Sequence, residues 1–166
     1  IMLGMTRVTT SDLFEDEVLS WLANTLETNK DKRCFLFFHV YPNHSCGDPY
    51  NAYGGDLISG EEETFFDELL SHYPNVTWFH GHSHFVFDVQ ADAESATVDT
   101  SGPFNSIHIP SLSQPKVLKK NDDGSYDYAF RETTAEGYVV EVYENGIVLR
   151  GIDFRSEKYF PIANYY

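Results

Sequence analysis

The stretch FHGHSHF, residues 79–85, sets His80, His82 and His84 at every second position, with a glycine among them and phenylalanine at both ends. Imidazoles spaced in this way either share a metal ion or line one side of a strand. The neighbouring residues bear on the choice. VTWFH (76–80) is short and apolar, so the histidines fall where a strand gives way to a turn. RCFLFFHV (33–40) is a second apolar run, expected as a strand buried on both sides, and it ends near His39. In an open α/β sheet, sites gather beyond the carboxyl ends of the strands, so adjacent parallel strands are expected to bring His39 near His82 and His84. Gly81 is expected to supply a positive φ or a close backbone approach. Ser83 is small enough to leave both flanking rings room.

The remaining elements follow from periodicity. Residues 1–5 read as a short strand. SDLFEDEVLSWLANTLETNK (11–30) places Phe14, Val18, Trp21, Leu22, Thr25 and Leu26 on one helical face, with acids near its start. GEEETFFDELLSHY (60–73) reads as a second amphipathic helix with Phe65, Phe66, Leu69 and Leu70 inward. FVFDVQ (85–90) and SIHIPSL (106–112) read as strands, and PKVLKKNDDGSYDYAF (115–130) as a turn-rich connection. GYVVEVYENGIVLRGIDF (137–154) reads as a hairpin around Asn145–Gly146, the pair that a type I′ turn favours, with its strands in a buried sheet. The β-α-β-α-β alternation predicts an α/β fold, and the absence of repeats or linkers predicts one domain over residues 1–166.

Composition narrows the function. The formal net charge is −15, from 11 Lys and Arg against 26 Asp and Glu. Such a chain repels phosphate backbones and anionic membranes, so nucleic-acid and membrane-surface binding are not expected. An anionic small substrate then requires a local positive centre, which a metal cation supplies. Two cysteines, Cys34 and Cys46, are not spaced as a metal-binding pair, and Cys34 is expected to be a buried thiol. The loop YPNHSCGDPYNAYGGD (41–56) is long for a compact domain, which points to function. His44 and Asp48 in it are candidates for contact with substrate, and Tyr50, Asn51 and Tyr53 for shaping a pocket. Outside this loop, His80 is expected to support the site structurally, His108 to be a strand residue that runs beside it, and His72 to sit at a helix C-terminus.

FFHVYP (37–42) followed by FHGHSH (79–84) resembles the last two motifs of the calcineurin-like metallophosphoesterases, a histidine ending a buried strand and a later G-H-x-H. The helix EDEVLSWLANTLE (15–27) and the tail IHIPSLSQP (107–115) with residues 137–154 are also similar to that family, so the resemblance covers nearly the whole chain. It implies a four-layer α/β/β/α sandwich and a two-metal phosphoester hydrolase acting on a phosphomonoester or phosphodiester. It implies that His39 and His82 bind one ion and His84 the other, with Mn, Fe, Zn or Mg as candidate ions. Such paired ions, roughly 3.5–4 Å apart, clamp the phosphoryl group and activate water.

The family's D-x-H, G-D-x-x-D and G-N-H-D/E motifs do not occur. Gly47-Asp48 and Gly55-Asp56 lack the second Asp, and Pro42-Asn43-His44 comes after His39 and lacks the glycine. Together with the opening on Ile1, this predicts the C-terminal portion of such a domain, which supplies histidine ligands and no catalytic side chain and pairs with its missing half or with itself. The alternative is a non-catalytic metal-binding or interaction module. A metallo-β-lactamase-type site is disfavoured, because Phe85, Val86 and Phe87 follow where H-x-H-x-D-H needs Asp and His.

Overall fold

The computed structural model describes residues 1–4, 13–40, 46–48, 58, 60–88 and 97–165. The fold is mixed α/β, with two helices and more strand than helix among the described residues. The chain divides into two compact units: Ile1–Ser45, Asp56–His80 and Val98–Ile107 form the first, and Cys46–Gly55, Gly81–Thr97 and His108–Tyr166 the second.

In the first unit, helix α1 (Asp16–Thr28) opens with Asp16 and Glu17, whose charges complement the positive end of the helix dipole. Leu22 and Leu26, one turn apart, are buried. Trp21 is 49% exposed and so leaves the inward face expected for it. Phe14 reaches the core from before the helix, and its backbone N–H donates to the buried Glu62 Oε1 at 2.8 Å. Helix α2 (Gly60–Ser71) buries Phe66 and Leu70 and half-buries Phe65 and Leu69, the face expected from its pattern.

Strands β1 (Cys34–Phe37) and β2 (Val76–His80) pair in parallel, Cys34 opposite Val76 and Phe37 opposite Phe79. With β3 (Val98–Asp99) and β4 (Asn105–His108) they form a sheet in the order β1-β2-β4-β3, with β3 and β4 antiparallel. All five residues of β2 are buried, as its central place requires. In β1, Leu36 is fully buried whereas Phe37 is 39% exposed, so the expected two-sided burial of this strand is corrected to an alternating pattern. Phe37 stacks on Phe79 with centroids 5.1 Å apart. Trp78 lies 4.9 Å from Phe66 and 5.4 Å from Phe104 between ring centroids, joining helix, sheet and the approach to β4. Residues 1–4 run beside β1 through a single parallel bridge, Met2 to Phe37, where a strand was expected.

The second unit is built from hairpins. Strands β5 (Lys116–Lys120) and β6 (Tyr126–Phe130) pair antiparallel, so the stretch expected as a turn-rich connection is itself a hairpin. Its loop is closed by Gly124 at φ 86° and by the Asp123 carboxylate, which accepts from the Ser125 N–H and hydroxyl. Strands β7 (Glu136–Tyr143), β8 (Gly146–Asp153) and β9 (Lys158–Tyr165) form an antiparallel sheet in that order. The β7–β8 hairpin is the expected one, but Tyr143 pairs with Gly146, which leaves Glu144 and Asn145 as the two loop residues. Neither of them has a positive φ, and nor does Gly146, so the type I′ turn does not form. Val142 and Tyr143 are 56% and 51% exposed, so the expected buried sheet is buried at one end and open toward the turn. The described part of FVFDVQ, residues 85–88, is not an extended strand either: Phe85 makes one bridge to Lys116, and Phe87 and Asp88 are helical.

Two buried carboxylates anchor this unit with opposite electrostatics. Burial acts to raise the Asp153 carboxyl, but the Ser156 hydroxyl and the N–H groups of Ala135, Arg155 and Ser156 outweigh it and hold it below the usual range. Glu136 is fully buried and accepts the Phe87 N–H at 2.8 Å. Burial raises its pKa, with Asp88 adding to the effect and Arg131 opposing it. The folded chain therefore holds the Glu136 proton more tightly than the unfolded chain does. This contribution is favourable below the ordinary glutamate value and is lost as pH rises through the raised folded value. Glu136→Gln keeps an acceptor for Phe87 without the charge and is expected to flatten that fall in urea denaturation across a pH series. Glu136→Ala is expected to cost roughly 1–3 kcal/mol below the ordinary glutamate value, and less as pH rises through the raised folded value. A Gln variant that keeps the wild-type slope places the titration elsewhere.

Candidate functional site

β2 ends at His80, and the chain then turns through residues 81–84. His80 is 1% exposed, and its Nε2 lies 2.9 Å from Ser106 Oγ on β4, so this ring belongs to the first unit and locks two strands together. His39, just beyond β1, is exposed at the surface of the same unit. Partial burial of its ring lowers its pKa, which favours the neutral imidazole that ligates metals.

His82 and His84 lie in the second unit, and both have left-handed backbones, with φ of 73° and 66°. This conformation costs an L-residue roughly 1–2 kcal/mol, and two such residues separated by one position require a local cause. That cause is Ser83, which is fully buried between them. Its hydroxyl donates to the Gly47 carbonyl at 2.7 Å and meets His108 Nε2 at 2.8 Å, while the Phe85 N–H approaches the same oxygen at 3.4 Å. Gly47 has φ 125°, where a side chain is disfavoured, and so it turns its carbonyl toward the serine at a position that needs glycine. Gly81, in contrast, has no positive φ, and a Cβ added there would meet only the Ile109 carbonyl at 3.6 Å, an ordinary contact. The special backbone expected at Gly81 therefore falls on the two histidines.

The turn is pinned from a third side by Lys116. Its N–H donates to the His84 carbonyl at 2.9 Å, and its carbonyl accepts the Val86 N–H at 3.0 Å. Only 3% of Lys116 is exposed, and its ammonium stands 4.4 Å from the centre of the Tyr128 ring. Burial lowers its pKa, partly opposed by the charge of Asp48.

His44, Tyr50, Asn51 and Tyr53 lie outside the described residues; Asp48 is half-buried in the second unit. Among the described residues, no three His, Cys, Asp or Glu side chains form a group able to hold a metal ion. The donors present fit the metal reading in kind: His82 and His84 leave one short turn, and imidazole suits borderline ions such as zinc. The bridging carboxylate of a two-ion centre is not supplied by this turn. No protein-family model and no curated protein matches the chain.

Sequence reading singled out the histidines, Ser83 and His108, but not the hydrogen bonds of Ser83 to Gly47 and His108 or the part of Lys116. Ser83, His108, Gly47 and Lys116 are joined across 25 to 36 positions or through backbone groups, and no local pattern signals such links. The buried Lys116 side chain can be tested for what its stem and its ammonium each contribute to stability. Lys116→Met keeps the stem on Tyr128 without the charge and is expected to stay within about 1.5 kcal/mol of wild type in a denaturant melt. Lys116→Ala is expected to lose roughly 2 kcal/mol or more. Equal losses in the two variants would assign the effect to the ammonium rather than the stem.

Proposed function

We propose that this chain is the histidine-bearing portion of a metal-dependent phosphoester hydrolase of the calcineurin-like type, within a four-layer α/β/β/α sandwich. The observation that carries the reading is the G-H-S-H turn, in which His82 and His84 are both held left-handed by one buried serine. Strain of this kind concentrates where a side chain must be aimed.

In this reading His39, His82 and His84 are the metal ligands, and His44 contacts the phosphoester. Bound ions of this class polarise a phosphoryl oxygen and lower the pKa of a coordinated water. The chain's own residues orient the donors: Ser83 fixes the turn, and partial burial lowers the His39 pKa in the direction of the neutral form. A cation also reconciles a net charge of −15 with an anionic substrate. The carboxylate motifs that complete a two-ion centre are not among these 166 residues, so this chain alone is expected to bind metal and not to turn over substrate.

The test is a titration of the chain with Zn(II) and Ni(II), followed by assays with 4-nitrophenyl phosphate and its bis-ester. Metal binding lost in the His82→Ala/His84→Ala double variant, without turnover, is the expected result. No binding by wild type removes the metal reading. Turnover by the chain alone overturns its incompleteness, and metal binding without affinity for inorganic phosphate favours the non-catalytic module.

A further inference from the structure

The Ser83 hydroxyl has one proton and two acceptor lone pairs. The Gly47 carbonyl can only accept, so at 2.7 Å it takes that proton. The contact to His108 at 2.8 Å must then run the other way, with His108 Nε2–H donating to Ser83 Oγ. The Phe85 N–H at 3.4 Å occupies the remaining lone pair more weakly. Ser83 and His108 are both 0% exposed, so water does not compete for these bonds. A buried polar group in this setting gains more from its partners, and loses more without them, than it would at the surface.

We infer that Ser83 and His108 are positioning residues for the two flanking imidazoles, with His108 held as the Nε2–H form. Neither side chain touches substrate or metal in this assignment. Ser83 fixes the centre of the turn, and His108 fixes the orientation of Ser83. The two bonds reach in from distant parts of the chain, and together they balance the backbone cost of placing His82 and His84 at φ 73° and 66°. Partners that orient metal ligands without binding metal commonly govern affinity by about 10–100-fold. The consequence for metal rests on the reading of His82 and His84 as ligands; the consequence for the backbone does not.

The experiment uses the whole chain and four forms: wild type, Ser83→Ala, His108→Leu and His108→Gln. The Gln amide N–H replaces the Nε2–H donor. Long-range ¹H–¹⁵N spectra report the His108 tautomer, backbone chemical shifts of residues 82–84 report the left-handed φ, and Zn(II) titration reports affinity. Wild type is expected to show the Nε2–H form. The Ala and Leu variants are expected to lose the left-handed shifts and about ten-fold or more in Zn(II) affinity, and the Gln variant to retain both. A wild-type Nδ1–H tautomer, or left-handed shifts that persist in both Ala and Leu variants, overturns the inference. Shifts that move as expected in a protein with no Zn(II) affinity uphold the positioning role and remove the metal reading instead. If Ser83→Ala does not fold, the His108 Leu and Gln pair decides alone, since the expected rescue by Gln requires the donated hydrogen bond.

Discussion

The first unit depends on the complete burial of β2. Five consecutive buried residues, Val76 to His80, leave no face for solvent, so the backbone polar groups of this strand need partners inside the protein. The backbone finds them by pairing with β1 on one side and β4 on the other. Trp78 fills the space between Phe66 and Phe104, and the one histidine inside the strand is met by the Ser106 hydroxyl. Burial of about 25 cal/mol per Å² of apolar surface drives this packing, and the aromatic contacts give it direction.

Local periodicity made the first unit largely legible. Helices α1 and α2 carry a 3.6-residue apolar stripe, and β2 is an apolar run bounded by turn residues, so local and tertiary preferences agree. Disagreement marks the misses. Trp21 has the size of a core residue but sits beside Leu22, where a narrow buried stripe has room for only one of the two. Phe85, Val86 and Phe87 have strand propensity, yet the Phe87 N–H is captured by the Glu136 carboxylate, and the chain is helical at Phe87 and Asp88 after a single bridge. In the β7–β8 hairpin, Asn145-Gly146 is the stronger turn signal by composition. The register of the long strands, Tyr143 on Gly146, nevertheless places the loop one residue earlier.

The candidate site was legible in residue type and not in mechanism. Spacing identifies His82 and His84 as unusual, because alternating imidazoles after a strand have few structural uses. It does not show which residue carries the special backbone. Glycine is the default for a left-handed position, so Gly81 was the natural expectation; in the fold the positive φ falls on His82 and His84, on either side of a serine bonded to the distant Gly47. A serine between two histidines and a second histidine 25 residues on form no motif, because their relation exists only once the chain has folded.

Charge gives the last constraint on what such a turn can hold. Neutral imidazoles bring no negative charge to a bound cation, so an ion held by nitrogen donors alone keeps its full electrophilic character, whereas bridging carboxylates would partly neutralise it. The same donors compete weakly for hard ions that demand oxygen, so the proposed ligand set would favour zinc-like ions over magnesium. A net charge of −15 raises the local concentration of any cation and lowers that of any free phosphoester. If the proposed ligands hold a cation, its charge would offset part of the field that opposes an anion.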